Sequence, residues 1–176
     1  IGKREADRIA LIAFAGEPYL VSPLTLNHDW LIKNLERLEI GLIEEDGTAI
    51  GSALIMTANR LRDLQAKSKV VVLLTDGVNN SGSIQPATAA EAAAALKVKV
   101  YTIAAGTKGK APFPVQDYLG RTRYRNVETD VDEPTLKEIA RLTKGSFFRA
   151  TDTKELEDIY NQIDELEKTE IKLKNF

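Results

Sequence analysis

Apolar and polar positions along this chain follow two alternating rhythms. Arg8-Ile-Ala-Leu-Ile-Ala-Phe14 and Lys69-Val-Val-Val-Leu-Leu-Thr75 are short, unbroken apolar runs, the pattern of strands buried on both faces in a parallel sheet. Between such runs, apolar residues recur every three or four positions. Asn27 can cap a helix carrying Trp30, Leu31, Leu35 and Leu38 on one face and ending at Gly41. Ile50, Ala53, Leu54, Ala58 and Leu61 mark a second helix, and Thr88-Ala-Ala-Glu91 has capping-box spacing at the head of an alanine-rich third. Pro134 opens a fourth helix with Leu136, Ile139 and Leu142, which Gly145 stops. Asp152-Thr-Lys-Glu155 caps a fifth, with Leu156, Ile159, Tyr160, Ile163 and Leu166 on one side.

Residues 98–103 and 146–149 read as further strands, and Tyr19-Leu20-Val21, after the turn at Gly16-Glu17-Pro18, as a short edge strand. Residues 1–7 read as the tail of a helix, and 106–131 as a long connection rich in glycine, proline and charge. Strands alternating with helices predict an α/β fold: three layers, doubly wound, a mainly parallel sheet with helices on both faces and one short antiparallel edge strand. No linker or internal repeat divides the chain, so 1–176 is expected to be a single domain.

The chemistry concentrates where the apolar run 70–74 stops on Thr75-Asp76-Gly77. In open α/β folds ligands bind beyond the carboxyl ends of the strands, so Asp76 stands where a charge can be held and used. A second loop, Glu44-Glu45-Asp46-Gly47-Thr48, leads into the helix beginning near Ile50. Both loops lie on the strand-to-helix side and should share one rim of the sheet. A hydroxyl and a carboxylate with glycine neighbours suit a hard cation such as Mg²⁺, which takes oxygen ligands and keeps several waters.

Composition narrows the alternatives. The 176 residues include 24 basic and 26 acidic side chains, a net charge of −2, which makes no electrostatic case for nucleic acid. There is no cysteine and one histidine, His28. Thiolate nucleophiles, disulfides and multi-histidine metal sites are excluded, and His28 reads as a surface residue near a helix start. No run approaches the ~20 apolar residues of a membrane span. Arg121-Thr-Arg-Tyr-Arg125 is the one dense basic patch.

These loops resemble those of a von Willebrand factor A domain carrying a metal-ion-dependent adhesion site. Leu74-Thr75-Asp76-Gly77 looks like the family's last metal-binding loop, and Asp46-Gly47-Thr48-Ala49-Ile50-Gly51 like the loop bearing its metal-binding threonine. The chain is most similar to the Bat (Bacteroides aerotolerance) proteins. The stretches that carry this are 46–51, 69–80, Pro114-Val-Gln-Asp-Tyr-Leu-Gly-Arg121 and Lys144-Gly-Ser-Phe-Phe-Arg-Ala-Thr-Asp152.

The resemblance implies Thr48 and Asp76 as ligands of Mg²⁺ (or Mn²⁺ or Ca²⁺), Asp76 through a water. Asp46, Gly47, Gly77 and Asn79 would form a rim that meets an acidic residue of a protein partner. It implies no catalytic residue, and a domain held in the cell envelope at the inner membrane by flanking helices, bound to envelope or same-operon proteins in an aerotolerance- or stress-related complex. Residues 170–176 would approach such a helix.

The family's Asp-x-Ser-x-Ser loop has no counterpart in 1–176; Ser81 and Ser83 follow Asp76 on another loop. The domain is therefore expected to lack its first central strand, to be incomplete at its N-terminus, and to hold a cation weakly or not at all as it stands.

Two other readings compete. One is a metal-independent scaffold working through the 106–131 connection, where Phe113, Tyr118 and Tyr124 lie among arginines. The other is a phosphatase-like hydrolase using Asp76 as nucleophile, which would need an acid two residues on, where Val78 stands.

Overall fold

The computed structural model describes residues 6–106, 109–116, 122–129 and 131–173. The elements run β1 (Ile9–Phe14), β2 (Pro18–Thr25), α1 (His28–Leu35), α2 (Ile50–Leu61), β3 (Val70–Thr75), α3 (Pro86–Ala95), β4 (Lys99–Ala105), β5 (Gly109–Gln116), β6 (Thr122–Thr129), α4 (Glu133–Leu142), β7 (Phe147–Ala150) and α5 (Thr153–Leu173). They form two compact units, Ile1–Gln65 with Asn79–Val98, and Ala66–Val78 with Lys99–Phe176. The helix tail expected over 1–7 falls largely outside the described residues; Ala6 and Asp7 lie in a turn and a bend.

In the first unit β1 and β2 form an antiparallel hairpin, longer than the edge strand expected at 19–21. Helices α1 and α2 lie against it, and α3 lies against α2. The α2–α3 packing uses small residues: Ala53, Ala58, Ala89, Ala90 and Ala93 are buried, with Ile50 and Leu54 as the larger members of the core. Gly51 brings α2 so close to the other segment that a Cβ there would stand 1.9 Å from the Ile84 carbonyl oxygen. Asn27 caps α1 as expected, its side chain accepting from Trp30 N–H at 3.0 Å.

That helix ends at Leu35 rather than near Gly41. Arg37 and Leu38 N–H turn to Asn34 and Leu35 carbonyls, so the spiral tightens and stops. Only Leu31 of its expected apolar face is fully buried; Trp30 and Leu35 are 42% and 43% exposed. Helix α3 starts at Pro86, in the first turn, so Thr88 sits inside the helix and caps nothing. Proline's preset φ was the better start signal.

In the second unit β3, β4 and β7 form a parallel sheet in the order β3-β4-β7. Successive side chains of β4 face opposite ways, and helices cover both sides. Thr102 Oγ1 donates to the Leu136 carbonyl of α4 at 2.9 Å. Tyr101 and Ile103 pack with Ala150 and with Ile159 and Ile163 of α5. Leu136 and Ile139 bury fully, and Asp132 caps α4 through Thr135 N–H. Glu155 N–H donates to Asp152 Oδ1 at 2.8 Å while the Glu155 carboxylate accepts from Thr151, so α5 is capped where the sequence pattern put it. Tyr160 and Leu166, expected on the packed side of α5, are each 45% exposed.

The parallel strand before Asp76 is not buried on both faces. Val71, Leu73 and Thr75 are buried, Val70 and Val72 pack partly against the α5 cluster, and Leu74 is 39% exposed. Among the described residues β3 pairs only with β4, and an edge strand leaves part of one face without cover. The 106–131 connection is also more ordered than its composition suggests: β5 and β6 pair antiparallel from Gly109↔Thr129 to Gln116↔Thr122. Tyr118 and Arg121 lie outside the described residues.

A buried charge pins α5. The Glu167 side chain is 1% exposed in the residue as a whole and accepts from Lys99 Nζ at 2.8 Å, Tyr101 Oη at 2.7 Å and Ser68 Oγ at 2.8 Å. Burial pushes its pKa up, but the hydrogen bonds from Lys99, Tyr101 and Ser68 and the Lys99 charge outweigh it and hold the carboxyl below its ordinary 4.5. Because the folded value is depressed, the stabilisation is present above the unfolded value and is lost as pH falls through the folded one. Urea unfolding should therefore show stability declining as pH falls below the ordinary value of 4.5, with a shallower decline in Glu167→Gln. Lys99→Met, which strands the buried carboxylate, should cost about 3–5 kcal/mol at neutral pH.

Candidate functional site

Helix α2 begins at Ile50, and its N-cap position is Ala49, which has no side-chain acceptor. The first amides of a helix need partners from elsewhere, and a distant loop supplies them. Asn79 Oδ1 accepts from Ile50 N–H at 2.9 Å and Asn80 Oδ1 accepts from Thr48 N–H at 2.7 Å. In return, Asn80 and Ser81 N–H donate to the Thr48 carbonyl at 3.1 and 3.4 Å. On its other side the loop is held by the exit of β1, where Ala49 N–H donates to Ala15 and Gly16 N–H to Glu45.

This lattice requires Gly47. Its φ is +116°, and a Cβ there would meet Ser81 Oγ at 2.0 Å; only glycine combines that backbone with that closeness. Asp46 Oδ1 accepts from Gly47 N–H at 2.8 Å, which makes Asp46 a loop-shaping residue. Asn79, expected as a rim contact, has its carboxamide oxygen committed to α2. The organising roles of Asn79, Asn80 and Ser81 escaped the sequence reading. The signal was present in the Asn-Asn-Ser run itself, residue types whose side chains mimic backbone turns and caps.

In the other unit, Asp76 follows the last residue of β3 and is exposed. Buried Thr75 accepts the Gly77 N–H at 3.2 Å through Oγ1, which fixes the turn after Asp76. The Asp76 carboxylate and the half-buried Thr48 hydroxyl make no hydrogen bond among the described residues, whereas Asp46, Asn79, Asn80 and Ser81 are all engaged. His28 is engaged too, its Nε2 lying 2.8 Å from the Asp7 carbonyl oxygen.

Thr48 in the first unit and Asp76 in the second each carry an oxygen donor that no bond among the described residues engages, and a hydroxyl and a carboxylate are each ligand types a hard cation takes. Among the described residues no group of three or more His, Cys, Asp or Glu side chains could hold a metal ion.

The chain belongs to the von Willebrand factor type A domain family, whose family model matches residues 1–162. Within that family it is similar to BatB from Bacteroides thetaiotaomicron, at 26% identity and a TM-score of 0.76 over 93% of this chain and 82% of that one. It is also similar to an aerotolerance-related membrane protein from Bacteroides fragilis, at 25% identity and a TM-score of 0.72 over 89% and 78%. An uncharacterized protein of Borreliella burgdorferi is 30% identical over 152 residues, covering 86% of this chain and 44% of its own length. The chain spans about half the length of the curated relatives it matches. No helix among the described residues is long and apolar enough to cross a membrane.

Replacing Asn79 by Ala removes the acceptor for the first amide of α2. It should destabilise the protein by about 0.5–2 kcal/mol, the cost of losing a helix N-cap, read as a lowered midpoint in urea. Asn79→Asp, which keeps the acceptor, should recover most of that loss.

Proposed function

We propose that this is a protein-binding domain and not an enzyme, one that recognises an acidic side chain of a protein partner with the help of a divalent cation. Mg²⁺ is the expected ion, with Mn²⁺ and Ca²⁺ as alternatives. Thr48 would offer its hydroxyl and Asp76 its carboxylate, directly or through water. The bound cation would supply the positive charge that attracts the partner's carboxylate.

The observation that carries this reading is selective: among the described residues the hydroxyl of Thr48 and the carboxylate of Asp76 make no hydrogen bond, while Asp46, Asn79, Asn80 and Ser81 do. Gly47 and Gly77 add little bulk beside them. Two protein ligands hold Mg²⁺ weakly, since the ion surrenders water reluctantly. Membership of a family of interaction modules supports the non-enzymatic reading. Similarity to an aerotolerance-related membrane protein of Bacteroides fragilis favours a working place at the cell envelope, with envelope or same-operon proteins as partners.

Asp76→Ala should abolish cation-dependent partner binding while leaving the unfolding free energy, measured in urea, within about 0.5 kcal/mol of the parent, as for a surface change. Binding that survives both this substitution and chelation of the cation would refute the proposal. Steady hydrolysis of a generic phosphate ester, lost in Asp76→Ala, would favour the phosphatase reading instead.

A further inference from the structure

A second candidate surface comes from the hairpin β5–β6 and the parity of its prolines. In an antiparallel pair, alternate residues of each strand make the ladder bonds while those between turn their backbone groups outward. Proline has no N–H to give. Pro112 and Pro114 are two apart and share one parity, yet the register is unbroken from Gly109↔Thr129 to Gln116↔Thr122. The bonded pairs are then those of the other parity: Gly109↔Thr129, Ala111↔Val127, Phe113↔Arg125 and Val115↔Arg123.

The two edges of the ribbon are consequently unlike. On β5 the outward residues are Lys110, Pro112, Pro114 and Gln116, so two of four outward donors are missing. Proline on an edge strand is a known guard against further pairing. On β6 the outward residues are Thr122, Tyr124, Asn126 and Glu128, each with both N–H and C=O. Among the described residues β6 pairs with β5 alone.

Charge selects what could use that edge. Segment 109–129 holds four basic residues, Lys110, Arg121, Arg123 and Arg125, against two acidic ones, Asp117 and Glu128, in a chain whose overall charge is −2. Two of the arginines belong to β6 itself. A second copy pairing β6 to β6 would set Arg123 and Arg125 of one copy against those of the other, and like charges across a strand pair are destabilising.

We infer that the outer edge of β6 is a docking site for an extended acidic segment of a partner protein, which adds to the hairpin as a third strand. Backbone bonds to Thr122, Tyr124, Asn126 and Glu128 would hold the segment, and the arginines would select its charge. This needs no metal and does not rest on the reading of Thr48 and Asp76.

The test uses the 176-residue chain in EDTA and a labelled, acetylated peptide of about eight residues alternating valine and glutamate, a typical strand length. Fluorescence anisotropy should show saturable binding that weakens with salt, and no binding of the matching valine–lysine peptide. Asn126→Pro removes one outward donor without touching a ladder bond and should weaken binding about tenfold. Arg123→Gln with Arg125→Gln, which leaves every backbone group in place, should abolish the preference for glutamate over lysine. Absence of binding, equal binding of the two peptides, or unchanged affinity in Asn126→Pro would overturn the inference. So would a dimer of the chain, seen by sedimentation, that Asn126→Pro dissolves, because the occupant would then be a second copy.

Discussion

Two asparagines hold the candidate site in shape. Helix α2 begins after an alanine, so its first amide has no local acceptor, and Asn79 and Asn80 reach across from another loop to serve Ile50 and Thr48. A buried amide without a partner costs about 1–3 kcal/mol, so this cross-tie sets where the 46–50 loop can sit. The Asn79 and Asn80 carboxamide oxygens, the Ser81 hydroxyl and the Asp46 carboxylate are engaged in internal bonds, whereas among the described residues the Thr48 hydroxyl makes none. Gly47 makes the closeness possible, since any side chain there would collide with Ser81.

Much of the fold was legible in the chain because period and punctuation agreed. The unbroken run ending at Asp76, the spacing of Ile50, Ala53, Leu54 and Ala58, and the Asp152–Glu155 capping pattern each lead to the observed element. Where the reading went astray, tertiary context prevailed over the local signal. Leu74 belongs to an apolar run but to a strand paired on one side only, and it stays partly exposed. Trp30 keeps the spacing of a core residue, yet the face of α1 that packs is the one carrying Leu31, and Trp30 stays partly exposed. The 109–129 hairpin was hidden because Pro112 and Pro114 read as strand breakers, whereas at outward positions they are compatible with pairing.

The sequence suggested the candidate residues but not what holds their loops. Thr48 and Asp76 stand out because a hydroxyl and a carboxylate beside glycines are the chemistry of a hard cation. The service role of Asn79 and Asn80 could not be read, because it depends on which loop approaches α2, a long-range fact that no local pattern encodes. Glu167 is a similar case: no local pattern on α5 marks it, and only its approach to Lys99, Tyr101 and Ser68 makes it a buried anchor.

The central claim is that Thr48 and Asp76 serve one cation. Mn²⁺ is paramagnetic and broadens nearby amide resonances, so a substoichiometric titration followed by two-dimensional NMR addresses it directly. The account predicts that the amides of Thr48 and Asp76 broaden together at the lowest additions, and that neither does in Asp76→Ala. Early broadening confined to the acidic stretch Glu44–Asp46 or to α5, with Asp76 untouched, would contradict it.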